Sequence, residues 1–225
     1  MFVILAFKGI KTTSFKVSKK KHNMSKYVIY TFPVGDIIRK HGLDYHFYAD
    51  DSQLHIAFEI ADNSSLQSAI GKIINCVNEI DNWMSINKLK LNQDKTEVLV
   101  FTSVYNKEPV HLDSISIGNT SVNISTSARN IGVLFDNKLT MSEHINYLCK
   151  SASFSLRKIG SIRKFINQKA CAQLVHSVVT TKIDYANSLL YGIPDYQFKR
   201  IQMILNSAAR LVALKSKFEH IAFFK

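Results

Sequence analysis

The sequence is short of acids. Its 225 residues carry 29 Lys and Arg against 17 Asp and Glu, a formal charge of +12 at pH 7, and residues 1–29 contain no Asp or Glu at all. A balance this basic favours a polyanionic partner, most often nucleic acid. Cysteine is scarce too: Cys76, Cys149 and Cys171 are far apart, odd in number and never in a C-x-x-C pair. That argues against a disulfide framework or a cysteine zinc site and points to buried free thiols in a reducing compartment. No run of about 18 apolar residues occurs, as a membrane-spanning helix would need. The apolar start "MFVILAF" is too short for a signal peptide with its cleavage site. The expectation is an intracellular protein, in the nucleus or cytoplasm, with no membrane partner. No internal repeat is apparent.

What is present is a globular composition, 46% hydrophobic, with two kinds of periodicity. Residues 8–26 are Lys-rich without a clear period and read as a basic, poorly ordered arm. A short helical piece around Gly35–Lys40 stops at Gly42. Tyr45, Phe47 and Ala49, then Leu54, Ile56 and Phe58, alternate with other residues, the pattern of two strands joined by a tight turn at Ala49–Ser52. From Asn63, Ser64 and Ser65, good cap residues, the period changes. Leu66, Ile70, Ile73, Val77, Ile80 and Met84 recur at three- and four-residue steps and predict one apolar helical face. A turn at Asn92–Lys95 leads into a buried strand over Val98–Phe101. A hairpin turning at Gly118–Asn119 and an apolar strand with a turn after Phe135 follow. Helices are expected over 142–160, 167–181 and 195–212, punctuated by Gly160 and "YGIPD".

The turn "YADD" joins two like charges, Asp50 and Asp51. Paired Asp is common in surface turns, where each satisfies its own backbone. The flanking strands, however, read as apolar on both faces, implying a buried hairpin whose tip opens into a cleft. Charge at such a place is costly unless a cation meets it, and magnesium binds through one or two carboxylates plus substrate phosphates.

"FYADDSQL", preceded by "GDIIRKHGL", resembles the metal-binding hairpin of reverse transcriptases from retrotransposons without long terminal repeats, the jockey-like mobile elements. "NWMSINKLKLNQDKTEVLVF" is similar to the helix, turn and lysine that follow it, and "ARNIGVLFDNKLTMSEHI" to the next strand element. "LVHSVVTTKIDYANSLLYGIP" and "RIQMILNSAARLV" are similar to the thumb-side helices and beyond. The four blocks cover roughly residues 30–213. The resemblance implies an RNA-directed DNA polymerase using Mg2+, deoxynucleotides, an RNA template and a DNA primer or hybrid. It implies Asp50 as the direct metal ligand and Asp51 as a weaker or outer one. Tyr48 and Ala49 would lie beneath the incoming nucleotide and primer end, and Lys95 near the departing pyrophosphate. Lys95 read without the resemblance is equally a turn lysine pairing with Asp94 or Glu97. Lys150, Arg157, Lys158, Arg163, Lys164 and Lys169 offer a surface for a template–primer duplex.

The family also needs an earlier strand motif of the type F-D-x-x-x-A-F-D, which is absent here, as are the loop after it and the fingers. The implied chain is the back half of a polymerase, inactive alone, whose partner would be the missing N-terminal part; the alternative is a non-catalytic nucleic-acid-binding remnant. The expected fold is α+β. Residues 1–29 are the basic lead-in, 30–137 a partial palm with the YADD hairpin, a packed helix and further strands, and 138–225 an all-helical thumb-like segment. Apolar elements built to pack on missing ones should leave hydrophobic surface exposed.

Overall fold

The computed structural model describes residues 2–7, 11–12, 24–48, 51–59, 62–91, 95–105, 112–117 and 120–216. The fold is α+β, and the chain divides into two compact units, Met1–Asn130 with Asp136–Leu139, and Ile131–Phe135 with Thr140–Lys225.

In the first unit the elements run β1 (Phe2–Phe7), β2 (Lys11–Thr12), α1 (Met24–Lys40), β3 (Asp44–Tyr48), β4 (Asp51–Ala57), α2 (Asn63–Ile86), β5 (Leu89–Lys90), β6 (Thr96–Phe101), β7 (Ser114–Ile117), β8 (Thr120–Ser125) and β9 (Ser127–Asn130). Six strands form one sheet in the order β3-β4-β1-β6-β8-β7. β1 lies antiparallel between β4 and β6, so that Leu5 faces Leu54 on one side and Val98 on the other. The order β1-α1-β3-β4-α2-β6, with β1 inserted between the two strands that α2 connects, is the split βαβ arrangement of ferredoxin-like folds. β8 extends it, running parallel to β6. The strand at Phe2–Phe7 falls within the stretch read from sequence as a basic lead-in. Six consecutive apolar residues without a partner-specific pattern look like a leader; what makes them a strand is the pair of edges on either side.

α2 forms as its periodicity requires. Leu66, Ile70, Ile73, Val77, Ile80 and Met84 are all buried against Leu54 and Ile56 of β4 and Val98 and Val100 of β6, so the apolar face expected to lie exposed is covered by the sheet. Each fully buried aliphatic side chain of this kind stabilises by about 1.5–3 kcal/mol. The cap is Asp62 rather than Asn63, Ser64 or Ser65: its carboxylate accepts from the Ser64 amide at 2.9 Å. A charged acceptor also suits the positive end of the helix, and the hydrogen bonds from the Ser64 hydroxyl first and its amide second hold the Asp62 carboxyl below its ordinary range. α1 adds Val34 and Ile38 to the same core. Gly35 of α1 lies so close to β3 that a Cβ there would stand 2.5 Å from the Tyr45 hydroxyl.

The stretch from Ser127 to Asp136 is two strands, not the one expected. Ile131 and Gly132 carry φ of 43° and 83° and precede β10 (Val133–Asp136). Asp136–Leu139 belong to the first unit, where Asn137 donates to the Thr126 carbonyl and accepts from the Thr102 amide, both at 2.9 Å.

The second unit is helical: α3 (Ser142–Ile162), a 3-10 turn (Arg163–Phe165), α4 (Gln168–Val175), a π-helical turn (His176–Thr180), α5 (Thr181–Asp184), a further 3-10 turn (Asn187–Leu190) and α6 (Asp195–Ala213). Its own core gathers Ile145, Ala152 and Ile159 of α3 with Cys171, Val175, Val179, Ile183, Ile201 and Ala208. Tyr185 holds the tight turn at its edge, donating from its hydroxyl to the Ile131 carbonyl at 2.6 Å, with its ring against Gly132.

Candidate functional site

The hairpin of β3 and β4 is where the sequence concentrates its chemistry. Successive side chains of a strand point to opposite faces. Leu54 and Ile56 enter the core, so Asp51, Gln53 and His55 point the other way. Their cross-strand partners are Tyr48, His46 and Asp44, which share that face in an antiparallel pair. The hairpin is therefore one-sided. Its helix face is apolar, with Tyr45 and Phe47 half-buried, and its outer face is polar, not the two-sided apolar ribbon read from sequence. Tyrosine and histidine, with their apolar bodies and polar tips, made the outer face look like a core face.

Asp51 is half-buried and opens β4; Tyr48, 56% exposed, closes β3 opposite it. Ala49 and Asp50 lie outside the described residues. Two rows along, Gln53 is tied by its amide to the Asn130 side chain. Lys95 is exposed and immediately precedes β6. Phe7 of β1 faces Ser52 on one side and Thr96 on the other, so Asp51 and Lys95 stand one residue beyond the same row, at the same end of the sheet. One strand separates theirs; at 4.7–4.9 Å per strand their backbones are roughly 10 Å apart. The sheet thus brings together Tyr48, Asp51 and Lys95. Of the two acids weighed as simple turn partners for Lys95, Asp94 lies outside the described residues and Glu97 is half-buried within β6.

Magnesium would need several converging oxygens. Among the described residues no group of three or more His, Cys, Asp or Glu could hold a metal ion. β1, the strand next to that of Asp51, reads FVILAF and carries no carboxylate. The described residues by themselves do not fit a magnesium site.

The basic residues of the second unit divide. Lys150, Arg157, Lys158, Lys164 and Lys169 are exposed. Arg163 is 7% exposed, and its guanidinium donates to the carbonyls of Leu211, Val212 and Ile166, each at 2.9 Å. It closes the carbonyl end of α6 rather than facing a duplex. An Arg amid "IRKF" gives no sequence signal of this, because the two α6 acceptors lie nearly fifty residues away.

Sequence reading also passed over a bridge between the two helices of the first unit. Lys40 donates to both carboxylate oxygens of Glu79, at 2.7 and 3.0 Å, and the His41 ring meets the same carboxylate at 2.7 Å. No helix among the described residues is long and apolar enough to cross a membrane. In comparisons with protein families, curated proteins and solved structures, the chain matches none of them.

Proposed function

We propose that this chain is the palm and thumb part of a reverse transcriptase of the non-LTR, jockey-like type, a mobile-element protein that binds nucleotide phosphates and nucleic acid but does not complete nucleotidyl transfer alone. In this reading Asp50 and Asp51, together with the phosphate oxygens of a bound nucleotide, would hold Mg2+, which would neutralise their charge and that of the phosphates. Tyr48 and Ala49 underlie the nucleotide and primer end, and Lys95 offers positive charge, or a proton, to the departing pyrophosphate. One observation carries the reading: Tyr48 and Asp51, the first and last residues of YADD, form the terminal cross-strand pair of β3 and β4 in a split βαβ sheet, with Asp51 and Lys95 at one end of that sheet.

β1 favours the second half of the proposal, binding without chemistry. Two-metal phosphoryl transfer needs carboxylates from more than one strand. The adjacent strand is present in cis, yet it offers none, and residues 1–29 as a whole contain no acid. Restoring the reaction with an acid-bearing strand from a second chain would mean displacing Phe2–Phe7 from between β4 and β6.

The test is nucleotide binding to the full chain by titration calorimetry, with and without Mg2+, beside primer extension on a homopolymer template. The expected result is Mg2+-dependent binding that the Asp50→Asn/Asp51→Asn double variant loses, with extension at background. Binding that persists unchanged in EDTA and in the double variant overturns the hairpin assignment. Robust extension would overturn the claim of inactivity.

A further inference from the structure

The exposed side of α3 has a composition that solvation alone does not call for. Tyr147, Lys150, Phe154, Arg157 and Lys158 recur at three- and four-residue steps, opposite the buried Ile145, Leu148, Ala152 and Ile159. The stripe runs on into the following turn, where Phe165 is 75% exposed; Phe154 is 53% exposed. Each of these rings has a lysine on it: the Lys158 Nζ lies 4.5 Å from the Phe154 centroid and the Lys164 Nζ 4.9 Å from that of Phe165. The charge around the stripe is one-sided. Between Thr140 and Ser216, eleven Lys and Arg stand against three acids, Glu143, Asp184 and Asp195. Glu143, the one acid on this face of α3, marks its N-terminal end, a turn before Tyr147.

We propose that this stripe, from Tyr147 to Phe165, is a binding surface for single-stranded nucleic acid. It rests on the nucleic-acid reading above for the class of partner and owes nothing to the hairpin. Lysines satisfy phosphates, and aromatic rings in open water gain by stacking on bases, which only an unpaired strand can offer. A duplex would use the lysines and leave Phe154 and Phe165 idle. An anionic membrane would want a broad apolar face, but α3 has spent that face on its own core, and the exposed Phe154 and Phe165 are single rings with an ammonium beside each. The stripe spans about 18 residues, roughly 27 Å along the helix axis, room for several nucleotides.

Fluorescence anisotropy of a labelled twelve-nucleotide oligouridine, measured on the full chain in EDTA, tests this. A twelve-base-pair RNA duplex and vesicles of phosphatidylserine and phosphatidylcholine serve as competitors. The expected result is binding that weakens about ten-fold or more in Phe154→Ala/Phe165→Ala, with duplex binding unchanged. Lys150→Gln should lower the salt slope by about 0.7, one phosphate's worth for a single strand. The assay contains neither metal nor nucleotide and so does not involve the hairpin, which makes failure here and failure of the hairpin reading separate results. Unchanged oligouridine affinity in the double aromatic variant overturns the proposal. So does an equal loss of duplex affinity, or wild-type protein that vesicles compete away more readily than RNA does.

Discussion

Arg163 sits between two basic neighbours in sequence and does a different job from either. Two of its three donated hydrogen bonds satisfy carbonyls at the end of α6, where helical geometry leaves four acceptors without intrahelical partners, and the third holds the Ile166 carbonyl. A buried guanidinium and the carbonyls it serves are each costly to leave unpaired. Arg163→Met, which keeps the length and apolar bulk of the side chain, should cost about 2–4 kcal/mol, whereas Lys164→Met should change stability by less than about 0.5 kcal/mol. Urea titrations of the two variants, followed by circular dichroism, check this; equal midpoints would refute the capping role. The same distinction applies to the hairpin. Asp51 faces outward from a strand whose alternate residues, Leu54 and Ile56, are anchored in the core, so its position follows from its neighbours' burial.

At the scale of elements, α1 and α2 are joined across their ends by Glu79. Lys40 first, and His41 second, hold its carboxyl below the ordinary carboxylate range. A group whose pKa is lower in the folded than in the unfolded state stabilises fully above the unfolded value and stops doing so as pH falls through the folded one. The bridge should therefore weaken on acidification below about pH 4.3, the ordinary value for Glu. Thermal midpoints of wild type and Glu79→Gln, followed from pH 7 to pH 3, should differ at neutral pH and converge at the acid end. Parallel curves would mean that the bridge contributes nothing. Both charges are partly solvated, so the difference should shrink with added salt.

For the whole molecule, the two hydrophobic cores share no residue: one gathers the sheet with α1 and α2, the other the helical segments from α3 onward. Each contains a sealed thiol, Cys76 in the first and Cys171 in the second. Burial, with the charge of Glu79 adding to it, pushes the Cys76 thiol up to about 12, which leaves almost no thiolate to react at neutral pH. This gives a readout of each core separately. Proline at position 5 would remove an amide from the central strand of the sheet, where interior proline is not tolerated. In Leu5→Pro, Cys76 should alkylate with iodoacetamide far faster than in wild type while Cys171 stays protected, as read by mass spectrometry of the peptides. Simultaneous labelling of both would show that the cores unfold as one, and continued protection of Cys76 would show that β1 is dispensable.

The sequence by itself determined the local structure wherever a residue's fate depends on near neighbours. The face of α2, the short strands of the hairpin, the two strands flanking 118–119 and the three long helical stretches follow from spacing, because periods of 2 and 3.6 residues are local quantities; residues 118–119 themselves lie outside the described residues. It also determined the charge, and with it the class of partner worth proposing. Tertiary structure decided what depends on distant partners. Phe2–Phe7 became the central strand only because β4 and β6 leave a slot that pairs on both sides. Arg163 left the basic surface because α6 ends beside it, and the polar outer face of β3 stayed exposed because the helices cover the other one. The first two are matters of hydrogen bonds between residues about fifty or more positions apart, and the third of burial against two separate helices, which no short window along the chain contains.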